Sequence, residues 1–390
     1  MFNKKTLALL IITIFLAATP VFSVMEPAVF TFNGQGYGHG LGLSQYGARG
    51  FALRNFNYVQ ILATYYQQTQ LSKAKSQTIR VLVASKRSQV NFSAPTNFSV
   101  YSEPLKRKYA FHAGQNYQVT VKGGRLLIKN VNSHKDVGLF TQPLQISSQK
   151  GVQLISTDDN GRPNNPYRGF LRLLNIGNRI YAVNHLNSEH YLFGVITREM
   201  PLGWPAEALK SQAVAARSFA LSSLNANKFY DVYTTTTSQV YGGLSAETPQ
   251  SVQAVKNTAN QVLTFQNQII KAFYHSSSGG FTENNENVWG SKPLPWLRGV
   301  SSPYEGNEVL WPYPVSFSAA FLEKKLGAYS NIRTWGVRGV LNDLVIEKQG
   351  ISPRVLVIRI VGSGGISYIS GEKLRKFMGL RSTWFSISKS

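Results

Sequence analysis

The residue best suited to chemistry in this chain is a carboxylate with mostly apolar neighbours. Glu199 stands between Val195-Ile196 and Met200-Pro201, and burial raises a carboxyl pKa by disfavouring the charged form. A carboxyl held protonated near neutral pH can donate to a leaving oxygen and take a proton back later, as a glycosidase acid does. The adjacent Arg198 and a helix start at Pro205 act in the opposite sense, towards the ionised form. The local residues therefore leave two roles open, a general acid or a carboxylate that caps the following helix.

Three further clusters offer polar groups at suggestive spacing. His275-Ser-Ser-Ser-Gly-Gly-Phe-Thr-Glu283 places a histidine, three hydroxyls including Ser276, and an acid at the end of the apolar run Ala272-Phe-Tyr274. It lacks the Gly-x-Ser-x-Gly elbow of a serine hydrolase. Gly38-His39-Gly40, followed by Ser44-Gln45-Tyr46, fits either a ligand-facing turn or a plain bend, and no Gly-Lys-Ser/Thr follows that would make it a phosphate loop. Gln239-Val240-Tyr241-Gly242-Gly243 fits either a sugar-binding tyrosine or one packed with its hydroxyl satisfied.

The elements that must position these groups can be read from periodicity. Ala206 to Leu224 contains neither Gly nor Pro and follows Pro205, which suits a first helical position, so a long Ala-rich helix is predicted there. Leu209, Ala213, Ala216, Ala220 and Leu224 share one face, and Lys210, Gln212 and Arg217 fall off it, where they could point at a ligand. A helical segment broken near Asn55-Phe56-Asn57 is expected up to about Tyr66. From Thr78 to Leu174 the chain turns to short alternating runs such as Ile79-Arg-Val-Leu-Val83 and Tyr117-Gln-Val-Thr-Val121, which predicts a β-rich region. Tyr167 to Val183 reads as a hairpin, and strands are expected at Gln261 to Leu263, Ile269 to Tyr274 and Val355 to Val361, with short helices at Phe317 to Leu326 and Glu372 to Met378. The fold class is α+β, with the long Ala-rich helix beside mixed β-sheet and a β-rich second domain.

Composition narrows the function classes. The 390 residues exceed the usual single-domain size. No cysteine is present, which excludes disulfides, thiolate metal sites and a cysteine nucleophile. None of the six histidines forms a His-x-x-x-His pair, so no metal and no cofactor is expected. A formal charge of +23 favours anionic partners, although no block of five like charges appears. Met1 to Lys5 with two lysines, an uncharged Thr6 to Ala18 and Val21-Phe-Ser23 have the form of a secretory signal cleaved after Ser23, the alternative being an uncleaved N-terminal anchor. The expected location is therefore outside the cytoplasmic membrane, in the periplasm or cell wall, with membrane contact only through that segment.

Taken together, the motifs resemble the SpoIID/LytB family of secreted wall proteins, which includes sporulation lytic transglycosylases and amidase enhancers. The resemblance rests on Glu199-Met-Pro followed by Trp204-Pro-Ala-Glu-Ala-Leu-Lys-Ser-Gln-Ala-Val-Ala-Ala-Arg217, on Ser238 to Gly243, on Phe273 to Glu283 and on Gly38 to Ala48. It implies that Glu199 is the acid/base that cleaves the linkage between N-acetylmuramic acid and N-acetylglucosamine, with 1,6-anhydro ends as product. It implies a substrate groove lined by Lys210, Gln212, Arg217, Gln239, Tyr241, His275 and Ser276, together with His39, Ser44, Gln45 and Tyr46. The partners implied are peptidoglycan glycan strands and, for an enhancer, an amidase; nucleic acid is not among them. Two departures stand out. The Gly-His-Gly block lies near the start of the chain, whereas family members usually carry it near the C-terminus, which suggests a circular permutation. The division expected is a signal over 1–23, a permuted part of the catalytic core over 28–71, a β-rich domain over 78–175 and the remaining core over 176–390. Some members hold zinc with a histidine and two cysteines near the block at His275, and a chain without cysteine cannot rebuild that site.

Overall fold

The computed structural model describes residues 28–306, 309–328 and 335–390, so the signal segment lies outside the described residues. The α+β class is borne out, with helices set against several sheets.

Two antiparallel sheets face each other as a sandwich. The larger has seven strands in the order 232–233, 78–87, 179–187, 170–176, 144–147, 98–102 and 107–111, with only its first pair parallel. The smaller has six, in the order 135–140, 125–130, 117–122, 89–93, 152–154 and 165–167. Alternation along the strands sends every second side chain inward, as at Phe98, Val100 and Ser102. Phe92 and Tyr117 of the smaller sheet meet Phe98 and Phe111 of the larger, with ring centroids between 4.7 and 6.5 Å apart. The expected hairpin is present as Phe170–Ile176 and Arg179–Asn187, and it runs straight into the helix Ser188–Glu199.

The long helix spans Ala206–Ser222, with Pro205 one position earlier than expected, at the cap itself with φ −54° and ψ 143°. That geometry lies outside the helical region, and Pro205 still has no N–H to leave unpaired. The helix is surrounded by Gln45–Ala52, Tyr58–Tyr65, Ser188–Glu199, Pro249–Asn257 and the strand Gln261–Phe265. Ala208, Ala213, Ala215, Ala216 and Ala220 are almost fully buried, which lets so many elements approach it. Enlarging one of these alanines, as in Ala216→Leu, would overpack the contact at a cost of about 1–3 kcal/mol. The break predicted near Asn55 separates the two short helices, and Asn57 caps the second through a capping box with Gln60.

One hydrophobic core runs from Leu43 to Val300 and unites the sandwich with these helices. A second core is built from Phe30 and Phe32 together with Leu322, Ile358, Ile360, Leu374 and Phe385. Strand Val29–Gly34 pairs antiparallel with Phe385–Lys389, and Val29 and Ser390 exchange backbone hydrogen bonds of 2.9 and 3.0 Å. The first and last described strands are therefore neighbours.

Candidate functional site

Glu199 is the last residue of its helix. The next helix has no side-chain cap, so Glu199 does not serve as one. Its Oε1 instead accepts the backbone N–H of Val240 at 2.7 Å. The loop carrying Val240 lies close because Gly242 N–H donates to Gly194 O at 2.9 Å, and a Cβ on Gly194 would stand 2.7 Å from Gly243 O. Tyr274 and Gln45 also hydrogen-bond the Glu199 carboxylate. These three donors favour the ionised form, yet burial outweighs them and holds the Glu199 carboxyl above the usual carboxylate range.

Glu199 opens into a cleft of about 670 Å³ whose wall includes Gln45, Tyr274, His39, His275, Ser276 and the loop Thr236–Ser238. Among the described residues it is the one carboxylate lining this cleft. Two distant blocks meet there through a short parallel pairing that sets Leu43 opposite Tyr274 and Ser44 opposite His275. His275 Nδ1 bonds Leu41 O at 3.0 Å and His39 Nδ1 accepts Leu41 N–H at 3.0 Å. The two rings lie 5.5 Å apart. Burial, with Arg354 nearby, lowers the His39 pKa to about 4, and burial pushes His275 down as well, so both rings are neutral at ordinary pH. His275 lines this cleft, and its Nε2 is buried without a hydrogen-bond partner among the described residues.

Several expected groove residues are placed elsewhere. Arg217 is 1% exposed and makes a two-pronged ion pair with Glu189 at 2.7 and 2.8 Å, with further bonds to Gln261 O and Val255 O. It therefore ties three elements together and does not line the groove, since a guanidinium that deep needs its full set of acceptors. Lys210 pairs with Glu207 at 2.6 Å, and Glu207 also accepts Tyr58 N–H, so both secure the Tyr58–Tyr65 helix away from the cleft. Gln212 is fully buried and accepts from Gln45 Nε2 at 3.4 Å, while Tyr241 is buried and donates to Asn184 Oδ1 at 3.0 Å. Gln239 sits behind the wall, donating to Tyr274 Oη at 3.0 Å and accepting from Tyr191 at 3.1 Å. Ser44 caps the Gln45–Ala52 helix, and Tyr46 packs on Trp204 with its N–H on Ser276 O. Glu283 turns away to accept from Ser352 and Ile351, so the acid of the His275 block takes no part in the cleft.

Other residues here carry little signal that sequence reasoning uses. Tyr274 contacts the acid directly, and its place beside His275 in the same motif is the one signal that marks it. Phe219, Phe273 and Trp289 form an apolar wall, with Trp289 rings 4.5 Å from Phe273 and 5.6 Å from His39. Arg375 and Lys376 reach the cleft from the second core, where no local signal marked them. Glu305 accepts from Ser277 and Ser278 hydroxyls and from Ser278 and Gly279 N–H groups, which fixes the serine loop. Arg354 donates to Gly38 O at 3.1 Å and Ser278 O at 3.0 Å, fastening the two blocks to each other. For the zinc site that the family resemblance implies for some members, the donor set does not fit: the chain has no cysteine, and no group of three His, Cys, Asp or Glu that could hold a metal occurs among the described residues.

The family profile of Stage II sporulation protein, SpoIID, matches residues 177–265, which hold Glu199, the long helix and Val240. The Stage II sporulation protein D of Bacillus subtilis is 36% identical over 221 residues, covering 52% of this chain and 61% of the relative. An uncharacterised protein of Brachyspira hyodysenteriae is 34% identical over 218 residues, covering 55% of each. The amidase enhancer of Bacillus subtilis is 42% identical over 106 residues, covering 27% of this chain and 14% of the relative. The chain thus spans about three fifths or less of the curated relatives it matches. No solved structure matches it.

Proposed function

Because this chain belongs to the SpoIID/LytB family, we propose that its cleft binds peptidoglycan glycan and that Glu199 cleaves it as a lytic transglycosylase. The family and the amidase-enhancer relative support a role at the cell wall. The observation that carries the enzymatic reading is a single carboxylate, raised in pKa by burial, in an open cleft. Hydrolysing glycosidases use two carboxylates, one of them to activate water or attack carbon. A transglycosylase needs only one. Protonated Glu199 would donate to the leaving oxygen between N-acetylmuramic acid and N-acetylglucosamine. The same carboxylate would then take the proton from the muramic C6 hydroxyl as that oxygen attacks the anomeric carbon, forming a 1,6-anhydro end. The apolar wall of Phe219, Phe273 and Trp289 offers faces on which sugar rings can stack.

Mass spectrometry of purified glycan strands incubated with the protein tests this reading. Anhydro-muramic ends that disappear with Glu199→Gln support it, and their absence with the native chain sinks it. The relationship to an amidase enhancer favours a second reading, in which the cleft holds glycan and stimulates a separate amidase. That reading expects saturable glycan binding, no released product and undiminished stimulation by the Glu199→Gln protein. Secretion rests on the sequence of Met1 to Ser23, and cell fractionation with N-terminal sequencing of the mature protein tests it. The circular permutation is supported by the pairing of Val29–Gly34 with Phe385–Lys389. A chain rejoined at those ends and opened between the blocks would fold and keep its activity if that reading holds.

A further inference from the structure

One end of the β-sandwich carries a cationic and apolar surface that the cleft does not use. The registers bring five connections to this end: residues 87–89 between the sheets, the turns 103–106 and 122–125, the segment 140–143 and the turn 177–178. Hydrogen bonds tie the connections after 87–89 to one another or to the strand ends beside them. Glu103 N–H donates to Pro143 O, Ser102 Oγ to Thr141 O, Asn175 Nδ2 to Gly124 O and Arg125 Nη2 to Leu139 O.

The chemistry of this surface is lopsided. Lys86, Lys106, Arg107, Lys122, Arg125 and Arg179 are all exposed there, and none makes an ion pair with a described residue. The acid among these connections, Glu103, is held by a two-pronged bond from Arg172 at 2.7 Å. Between the cations stand Leu105 at 53% exposure, Ile176 at 42% and Leu139 at 37%. None of these residues lines the cleft.

We propose that this end of the sandwich is a peripheral membrane-contact surface, in which Leu105, Ile176 and Leu139 enter the interface of an anionic phospholipid bilayer while the surrounding cations meet its headgroups. Charge alone would suit any polyanion. Three large aliphatic side chains held out among unpaired cations suit a surface with an apolar layer just beneath its phosphates. Lysine and arginine stems can lie along that boundary with their charges in the headgroup region.

Vesicle co-sedimentation of the full chain tests this, with equimolar phosphatidylglycerol and phosphatidylcholine compared against phosphatidylcholine alone. The native protein should partition to the anionic vesicles and lose that binding as sodium chloride is raised. Lys106→Gln with Arg125→Gln should weaken it about thirtyfold, the factor expected from two interfacial cations. Leu105→Ser with Ile176→Ser should weaken it by about tenfold or more. All variants share the same N-terminal segment, and their exposed positions, in turns or at the strand ends beside them, leave the thermal melt unchanged. Equal binding to neutral vesicles, or native-like binding by both variants, overturns the proposal. So does binding to linear polyphosphate that the serine variant retains together with its vesicle binding, which would mark a phosphate-polymer site.

Discussion

Val240 N–H donates to Glu199 Oε1 at 2.7 Å, so the acid is anchored by a backbone group from a loop 41 residues further along the chain. That bond favours the carboxylate, burial favours the neutral acid, and burial prevails. The folded protein therefore holds its proton at pH values where the unfolded chain has released it. The stability that this group contributes is fully present below the ordinary carboxyl value of 4.5 and is lost as pH rises from there through the raised value. Glu199→Gln keeps an oxygen for Val240 and removes the titration. Its thermal melts should match or exceed those of the native chain at neutral pH and lose that part of the slope. A marked loss of stability in the variant would show that the carboxylate is structural.

Tyr274 donates to Glu199 and accepts from Gln239 at 3.0 Å. Tyr274→Phe removes a donor that stabilises the carboxylate, so the Glu199 pKa should rise further and the alkaline limb of the pH–rate profile should move to higher pH. It also leaves one N–H of the Gln239 amide without its acceptor while the bond to Ala216 O remains, for a loss of about 1–3 kcal/mol in denaturant unfolding. An unshifted profile would mean that Glu199 does not set that limb.

The elements legible in the sequence were those with strong local rules. The Ala-rich helix, the break before Asn57 and the alternating strands from Ile79 to Ile128 follow from spacing and capping. Glu199 could be singled out because its neighbours are apolar. What local sequence cannot give is the direction in which a polar residue on a helix surrounded on all sides will point. Arg217 and Gln212 lie off the stripe of Leu209 and Ala213, yet neighbouring elements cover that side too. Arg354, Glu305 and Arg375 reach the site across long separations, so no spacing pattern reveals them.

The contrast between Arg217 and Lys210 is measurable. Arg217→Met leaves Glu189 and two carbonyl oxygens without their buried donor and should cost about 3–5 kcal/mol. Lys210→Met breaks a partly solvated pair and should cost no more than about 1 kcal/mol. Neither should change glycan affinity of the folded protein, measured by pull-down with insoluble wall material. A specific loss of affinity with normal stability would return these residues to the groove.

Arg354 adds to what burial does to His39: burial is the main cause of its low pKa, and the Arg354 charge lowers it further. Arg354 also fits under Gly40, where a Cβ would stand 2.3 Å from its Nε, and Gly40 has φ +79°. Gly40→Ala should therefore displace the guanidinium and strain the backbone together, at about 1–3 kcal/mol. The unfolded chain takes a proton on His39 near its ordinary 6.5, whereas the folded chain resists until about 4. Stability from this group is thus present above 6.5 and lost as pH falls towards 4. Arg354→Met removes the repulsion, so His39, followed by its ring proton shifts in NMR, should titrate at a higher pH than in the native protein. An unchanged midpoint in a folded Arg354→Met protein would show that burial alone keeps His39 neutral.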